Sequence, residues 1–530
     1  MKEHSLRKAM SAGLLALVTG LSLVPGLPAA AGDEDGASPR VTSPRRAHLA
    51  RPTASALPPT PRAALAVASR VLEGDARAGD PSATVALRDL WLARPDLTGE
   101  DSEQAEAMLA RPTDGAADPF GTGYTAPSTK TCGPHVCVHY VPTTADAPPS
   151  PEWVALNLAT LEQTWKKEVG KFGYRKPVGD RGLGGNSKLD VYLKDLGAGL
   201  YGYCAAEHRA KARTASGFCV LDNDYHPTQF PAATPTQNLQ VTAAHEFFHA
   251  VQYAYDYGDD GWFMESTATW MEERVADDVD DNRQFLPVSQ LSAPMIPLDA
   301  FSTTYGFQYG NWIFWEYLTK RFDKRLVKDA WKAAGSLRGD GRKYSVEALK
   351  TVLARRGGLP AVYAAFGSGN LVPAQTYPEG SAYPATVPLR EVGLSKAARR
   401  YGETVRLDHL THDSIKFVPG ADLGSGRWRL KVRIAGPSRK SGPAAQVLVV
   451  LHNGKLSKQR VRLNRKGNGS VKVKFSARKV AAVFVTAANA STRYKCGKES
   501  PFACQGASRD DQKAFKIKGS AVKVKKKRRR

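Results

Sequence analysis

The sequence has few cysteines, fewer acidic than basic residues and only one long apolar run. Beyond the N-terminal region, no stretch reaches the roughly 18 apolar residues of a transmembrane helix, so we expect no transmembrane anchor there. No internal repeat is visible. With 42% hydrophobic and 24% charged residues, the 530-residue chain has the composition of globular protein, and its length suggests about two or three domains.

The one apolar run lies at the N-terminus and has the features of an export signal. Lys2, Arg7 and Lys8 precede the apolar residues 12–23, and three alanines occupy positions 29–31. A basic start, a short apolar segment and small residues are typical of a cleaved signal peptide. We therefore predict a signal peptide over 1–31 and a secreted, extracellular protein.

The six cysteines fall into three close pairs, and none of these pairs has CxxC spacing. A metal site is the alternative to disulfides, but each pair is isolated from the others. In an oxidising environment such pairs form local disulfide bonds. The predicted bonds are Cys132–Cys137, Cys204–Cys219 and Cys496–Cys504.

Basic charge is concentrated late in the chain, whose net charge is +24. The tail 521–530 is mostly Lys and Arg. It is either a solvated end that aids solubility or a means of adhering to a polyanionic surface such as wall polymers, anionic lipid or acidic polysaccharide. We do not expect nucleic acid as a partner, because the chain is exported and contains no recognised nucleic-acid-binding module.

The remaining chain divides by composition into three parts. Residues 32–125 begin with an Ala/Pro/Arg/Ser-rich stretch, predicted to be disordered or processed up to about 75, followed by a helical pattern that is either a propeptide or a small appendage. Residues 130–390 mix helical and strand patterns in an α+β manner, with a strand at 189–193 and helices at 237–257 and 264–275. Short β-rich runs in 395–520 predict a β-sandwich.

Residues 245–249 read His-Glu-Phe-Phe-His within the first of these two helices. Positions i and i+4 share one helix face, so His245 and His249 can present two imidazole nitrogens to one ion. Zinc suits such ligands, and Glu246 is placed to take a proton from a water molecule at the metal. The alternative is a helix with two structural histidines and a surface glutamate.

Catalytic zinc usually has three protein ligands, so a third must come from elsewhere. Glu265 lies 16 residues after His249, in the first turn of a helix that returns beside the first one. Glu272 lies on the same face and could support the ligands. The other acidic candidates are Glu273, and Asp256, Asp259 and Asp260, which better suit turn and cap positions.

HEFFH at 245–249 followed by WFMESTA at 262–268 resembles the gluzincin zinc metallopeptidases, and more closely a group of secreted bacterial metalloproteases with HEFFHAVQ and ESxAxWxE segments. The resemblance covers about 130–390. It implies a zinc-bearing cleft between two subdomains, His245, His249 and Glu265 as ligands, and Glu246 as general base. It also implies an oxyanion donor, for which Tyr305 and Tyr309 are the candidates, with His226 a weaker one. The strand at 190–193 would be the sheet edge that pairs with a peptide substrate.

The predicted function is therefore hydrolysis of protein or peptide substrates by an endopeptidase or aminopeptidase with one catalytic Zn²⁺. Two alternatives stay open: a non-catalytic surface-binding protein on the same scaffold, and a zinc hydrolase acting on a non-peptide bond. The cluster Asp277, Asp278, Asp280, Asp281 and Asn282 is compatible with Ca²⁺, but its spacing does not match an EF-hand, so a solvated acidic loop is the favoured interpretation.

Overall fold

A computed structural model describes residues 38–46, 49–52, 60–74, 82–114, 123–197, 199–302, 305–498 and 500–524. The predicted signal peptide and the last part of the basic tail, 525–530, lie outside these residues. Within them the fold is a mixture of helices and sheets, which agrees with the α+β prediction.

The α-helices of the described residues are α1 Pro61–Leu72, α2 Ala83–Ala93, α3 Glu100–Leu109, α4 Pro151–Trp165, α5 Pro235–Tyr253, α6 Gly261–Val275, α7 Phe307–Gly310, α8 Trp312–Arg321, α9 Leu326–Ala334, α10 Val346–Leu353 and α11 Leu359–Gly369. The strands are β1 Arg40–Thr42, β2 Thr129–Cys132, β3 Val136–Tyr140, β4 Leu189–Lys194, β5 Gly202–Arg209, β6 Ala215–Asp222, β7 Arg390–Leu394, β8 Arg400–Leu407, β9 Thr411–Pro419, β10 Trp428–Ala435, β11 Pro443–Leu451, β12 Leu456–Val461, β13 Asn468–Lys474, β14 Val480–Asn489, β15 Tyr494–Lys495, β16 Ala507–Ser508 and β17 Lys513–Lys523.

The first sheet has five strands in the order β2-β3-β4-β6-β5. β4 pairs in parallel with both β3 and β6, whereas β5 runs antiparallel at one edge. The prediction that 190–193 forms the substrate-pairing edge is therefore wrong. The nearly continuous apolar sequence LDVYLK is buried along β4, as is typical of an interior parallel strand.

Two helices joined by a short turn lie next to this sheet. α5 begins with a capping box, in which the side chains of Thr234 and Gln237 each bond the other's backbone, and with Pro235 at its first position. It contacts β5 and β6 and packs against α6, which follows after Asp260. The chain reverses between them because Ala254 ends α5 and the Asp256 carboxylate accepts from the backbone N–H of Gly258.

The C-terminal part contains a six-stranded sheet, β1-β7-β9-β14-β11-β12, and a four-stranded sheet, β13-β10-β17-β8. Alternate side chains of both sheets enter one hydrophobic cluster, as Leu430 of β10 and Val447 of β11 illustrate. Four strands of these two sheets, β1, β7, β8 and β17, were not among the short β-rich runs recognised in the sequence. The assignment of 521–530 to a tail is wrong at its start, since residues 521–523 are the end of β17.

The region before residue 75 is more ordered than predicted. Arg40–Thr42 pairs with β7, and Pro61–Leu72 forms a helix capped by Thr60. The helix buries Leu65, Ala68 and Val71, whose spacing is that of one helix face. The Ala/Pro/Arg-rich composition concealed this periodicity, so the expectation of disorder is wrong over both segments.

All three predicted disulfide bonds are formed, linking Cys132 to Cys137, Cys204 to Cys219 and Cys496 to Cys504. These bonds agree with the predicted extracellular location. None of the helices in the described residues combines the length and apolar character needed to cross a bilayer.

Candidate metal centre

The three predicted ligands meet where α5 and α6 face each other. His245 and His249 lie one turn apart on α5, with ring centroids 4.8 Å apart. The Oε2 atom of Glu265, on α6, is 3.0 Å from His245 Nε2 and 3.7 Å from His249 Nε2. One donor atom from each residue lies within 4.8 Å of the others, a separation that a single ion can bridge.

The other ring nitrogen of each histidine is bound by a neighbour. His245 Nδ1 is 2.5 Å from Glu272 Oε1, and His249 Nδ1 is 2.8 Å from Gln252 Oε1. The Gln252 amide in turn donates to the backbone carbonyl of Met264 at 2.9 Å. These contacts place a proton on Nδ1 of His249 and leave its Nε2 lone pair facing Glu265, which is the usual arrangement around a metal-bound histidine.

The composition of this group fits Zn²⁺. His249 Nε2 is buried and has no hydrogen-bond partner among the described residues, so a polar atom points into the group without compensation. Two imidazole nitrogens and one carboxylate oxygen are a known catalytic zinc donor set. His249 and Glu265 are both fully buried, which excludes competing solvent from two of the three donors.

The electrostatics favour positive charge at this point. Burial alone would raise the pKa of Glu265, but the neighbouring His249 and His245 lower it below its usual range. Burial alone would lower the pKa of His245, yet the hydrogen bonds that its ring donates to Glu265 and Glu272 raise it well above the ordinary value. The two carboxylates thus stabilise a cation beside them, whether that cation is an imidazolium or a metal ion.

Glu246 and Tyr309 line the same cavity, whose volume is about 490 Å³. Burial raises the pKa of Glu246 above its usual value. The Tyr309 ring lies 6.1 Å from that of His245, and burial raises the Tyr309 pKa well above 10. Tyr305 does not line the cavity and packs on Phe307, with ring centroids 5.3 Å apart, so only one of the two predicted tyrosines reaches the site.

Helix α2 contributes two hydroxyl groups that the sequence did not predict. Ser82 Oγ donates to Glu265 Oε1 at 2.6 Å, and Thr84 Oγ1 donates to Glu246 Oε2 at 3.1 Å. Thr84 Oγ1 also accepts from the backbone N–H of Cys204 on the edge strand β5, at 2.9 Å. The start of α2 therefore lies across the cavity and along the free edge of the sheet.

The remaining candidates lie elsewhere. His226 is in a turn, where its Nδ1 is 2.8 Å from Thr228 Oγ1. Asp260 precedes α6 as its N-cap residue, and Asp256 forms an ion pair with Arg213.

The acidic residues considered for Ca²⁺ are partly neutralised. Asp277 lies within 4.8 Å of Glu273 and Glu379, and these carboxylates contact Arg274 and Arg283. Of the residues considered for Ca²⁺, only Asp277 belongs to a group of described side chains that could hold an ion, and two arginines lie beside that group.

Comparison of the chain with models of protein families finds no match, and comparison with curated proteins finds no match either. What the chain does is therefore inferred from its own residues and their geometry.

Proposed function

We propose that the chain is a secreted zinc-dependent peptidase of the gluzincin type, in which His245, His249 and Glu265 hold the metal. The observation that carries the proposal is the unpartnered Nε2 atom of His249, which is buried and directed at Glu265 while Gln252 binds the other ring nitrogen. A buried nitrogen without a partner costs about 1–3 kcal/mol. Buried His412 also has unpartnered ring nitrogens, but among the described residues only the nitrogen of His249 has two further potential ligands within reach of one ion.

Zn²⁺ at this position would supply Lewis-acid chemistry, polarising the scissile carbonyl group and making a water molecule more acidic. Glu246 would take the proton from the attacking water and deliver it to the leaving amine nitrogen. Its buried position suits that task, since burial raises the pKa of its carboxyl group towards neutrality.

Tyr309 is the donor best placed to stabilise the negative charge that develops on the carbonyl oxygen. Its high pKa keeps the phenol protonated at neutral pH, so that its O–H can donate. Tyr305 is set aside for this role because it packs on Phe307, outside the cavity.

The edge strand β5 is the natural place for an extended substrate, since a peptide can pair with its free backbone groups. Two of those groups are already bound by α2: Thr84 Oγ1 accepts from Cys204 N, and Trp91 Nε1 donates to the carbonyl of Glu207. We interpret α2 as a propeptide-like latch that a substrate has to displace.

The two sheets that share a core after residue 390 are interpreted as a β-sandwich.

The zinc proposal is tested by elemental analysis and peptide cleavage together. Wild-type protein should contain about one zinc per chain and His249→Ala should contain none. Glu246→Gln should retain zinc and lose peptide cleavage, whereas Glu103→Gln, an exposed acid on α3, should keep both. Cleavage by Glu246→Gln at the wild-type rate would refute the mechanism. Ester hydrolysis without any peptide cleavage would favour the non-peptide alternative, and absence of zinc would favour the binding protein.

The latch is tested by removing the two hydroxyl groups in the full chain. Ser82→Ala with Thr84→Val should raise the rate of peptide cleavage, because Glu265 and Glu246 are released from α2. Ser102→Ala on α3 serves as the control. A fall in the rate with the zinc content unchanged would instead identify the hydroxyls as groups that position the two carboxylates.

A further inference from the structure

The outward face of the four-stranded sheet is uniformly basic. β10 buries Leu430, Val432 and Ile434 and sends the intervening residues outward. Seven cations occupy this face on three adjacent strands: Arg429, Lys431 and Arg433 on β10, Lys472 and Lys474 on β13, and Lys516 and Lys518 on β17. The sequences of these three strands contain no acidic residue.

The strand register sets like charges directly opposite each other. Arg429 faces Lys474, Lys431 faces Lys472, and Arg433 faces Lys518. Like charges placed directly opposite each other destabilise a sheet. Within the described part of the chain none of the seven forms an ion pair, so their charge is not compensated internally.

The spacing of the cations defines the ligand they fit. Neighbouring strands are about 4.8 Å apart, and alternate residues along a strand are about 6.7 Å apart, so positive charge recurs every 5–7 Å in two directions. At one end the face has a shallow trough of about 460 Å³, lined by Arg433 and Lys518 with the small residues Ala435, Gly469 and Ser470 between them. A polymer with an anionic group on every repeating unit can bind along such rows of cations.

Other polyanions fit less well. The aromatic residues of these strands, Trp428 and Phe515, are buried in the core, so the face has no platform on which nucleic-acid bases could stack. Apart from Val522, its outward side chains are small or polar, and none is an aromatic residue, leucine or isoleucine that could anchor in a bilayer. Arg and Lys together suit phosphate groups, which Arg can bind through two parallel hydrogen bonds.

We propose that this face binds an extended phosphodiester-type polymer at the cell surface and thereby holds the protein there. The surface is distinct from the tail 525–530, and its action does not require the peptidase activity. Binding of such a polymer would give the β-rich unit a role, which the peptidase proposal does not provide.

The test measures binding of the full chain to poly(glycerol phosphate), a phosphodiester polymer without bases, at low salt. The triple variant Lys431→Gln, Arg433→Gln and Lys472→Gln should bind at least about 10-fold more weakly and with a shallower salt dependence. A control triple, Lys320→Gln, Lys332→Gln and Lys343→Gln, removes the same charge from exposed positions outside the sheet and should bind within about twofold of wild type.

Further outcomes decide between the sheet, the tail and the other ligands. Deleting 525–530 should leave most of the binding, and the sheet variant should unfold at the same or a higher temperature than wild type because repulsion is relieved. The proposal is overturned if both triple variants bind equally, if binding disappears with the tail, or if oligonucleotides or anionic vesicles bind more tightly than poly(glycerol phosphate).

Discussion

Replacing Gln252 by leucine is the most direct probe of the metal centre that leaves all proposed ligands intact. Gln252 is fully buried, and its side-chain oxygen holds Nδ1 of His249. Leucine is similar in volume and cannot accept that hydrogen bond. We expect the His249 ring to lose its fixed orientation and tautomer, and the affinity for zinc to fall as a result.

The contacts of Gln252 give the expected losses of zinc affinity and of stability. Loss of an outer-shell partner of a metal-bound histidine typically costs about 10–100-fold in metal affinity, equivalent to about 1.4–2.7 kcal/mol. Separately, the free energy of unfolding should fall by about 1–3 kcal/mol, since His249 Nδ1 is left unpaired. The Met264 carbonyl keeps one donor, Thr267 Oγ1 at 3.2 Å, which limits the loss on the α6 side.

The assay is competition for zinc with a chromophoric chelator near neutral pH, after circular dichroism has confirmed that the variant is folded. Gln240→Leu, a half-buried position on the same helix, is the matched control and should keep wild-type affinity. If folded Gln252→Leu binds zinc within about twofold of that control, the second ring nitrogen does not orient the ligand and our account of the site fails.

Three further predictions concern stability. His409 lies 2.6 Å from Asp511 and 3.2 Å from Asp299; although burial alone would lower its pKa, these carboxylates raise it to about 9. Its stabilising effect should therefore be complete below about pH 6.5 and be lost as the pH rises through about 9, so the Tm difference between wild type and His409→Gln should shrink over that interval. Arg111→Met leaves three carboxylates near a buried position and should cost about 3–5 kcal/mol in urea unfolding. Chelation should lower the Tm, and added zinc should restore it in proportion to the logarithm of its concentration, whereas an unchanged Tm would mean that no metal stabilises the native state.

Local sequence patterns predicted the structural features that depend on residues close together in the sequence. The start of α4 follows from Ser150 and Pro151, and the helix bearing His245 and His249 follows from its apolar spacing. The pairing of the cysteines follows from their proximity. In each case the residues responsible lie close together in the sequence.

Features that depend on distant residues were missed or misplaced. Thr84 and Ser82 reach the site from positions more than 160 residues away in sequence, and no local pattern records that contact. β4 was recognised as a strand, but its interior place depends on the order in which strands assemble. β17 alternates Lys with apolar residues, KAFKIKGSAVK, a strand signal that the abundant charge concealed.

The relation between the two units shows why composition alone misjudges them. The change to short strands after residue 390 suggested a separate domain, yet the disulfide-closed loop between β15 and β16 returns to the metal-bearing part. The backbone N–H of Cys504 donates to Asp260, the cap of the helix that holds Glu265, and that of Ala503 donates to Asp299. The Asp260 carboxylate makes no cap bond to the helix itself, so its bond to Cys504 ties the loop directly to the start of the helix that carries Glu265. A chain shortened before β15 should thus lose order at the metal centre as well as in the β-rich unit.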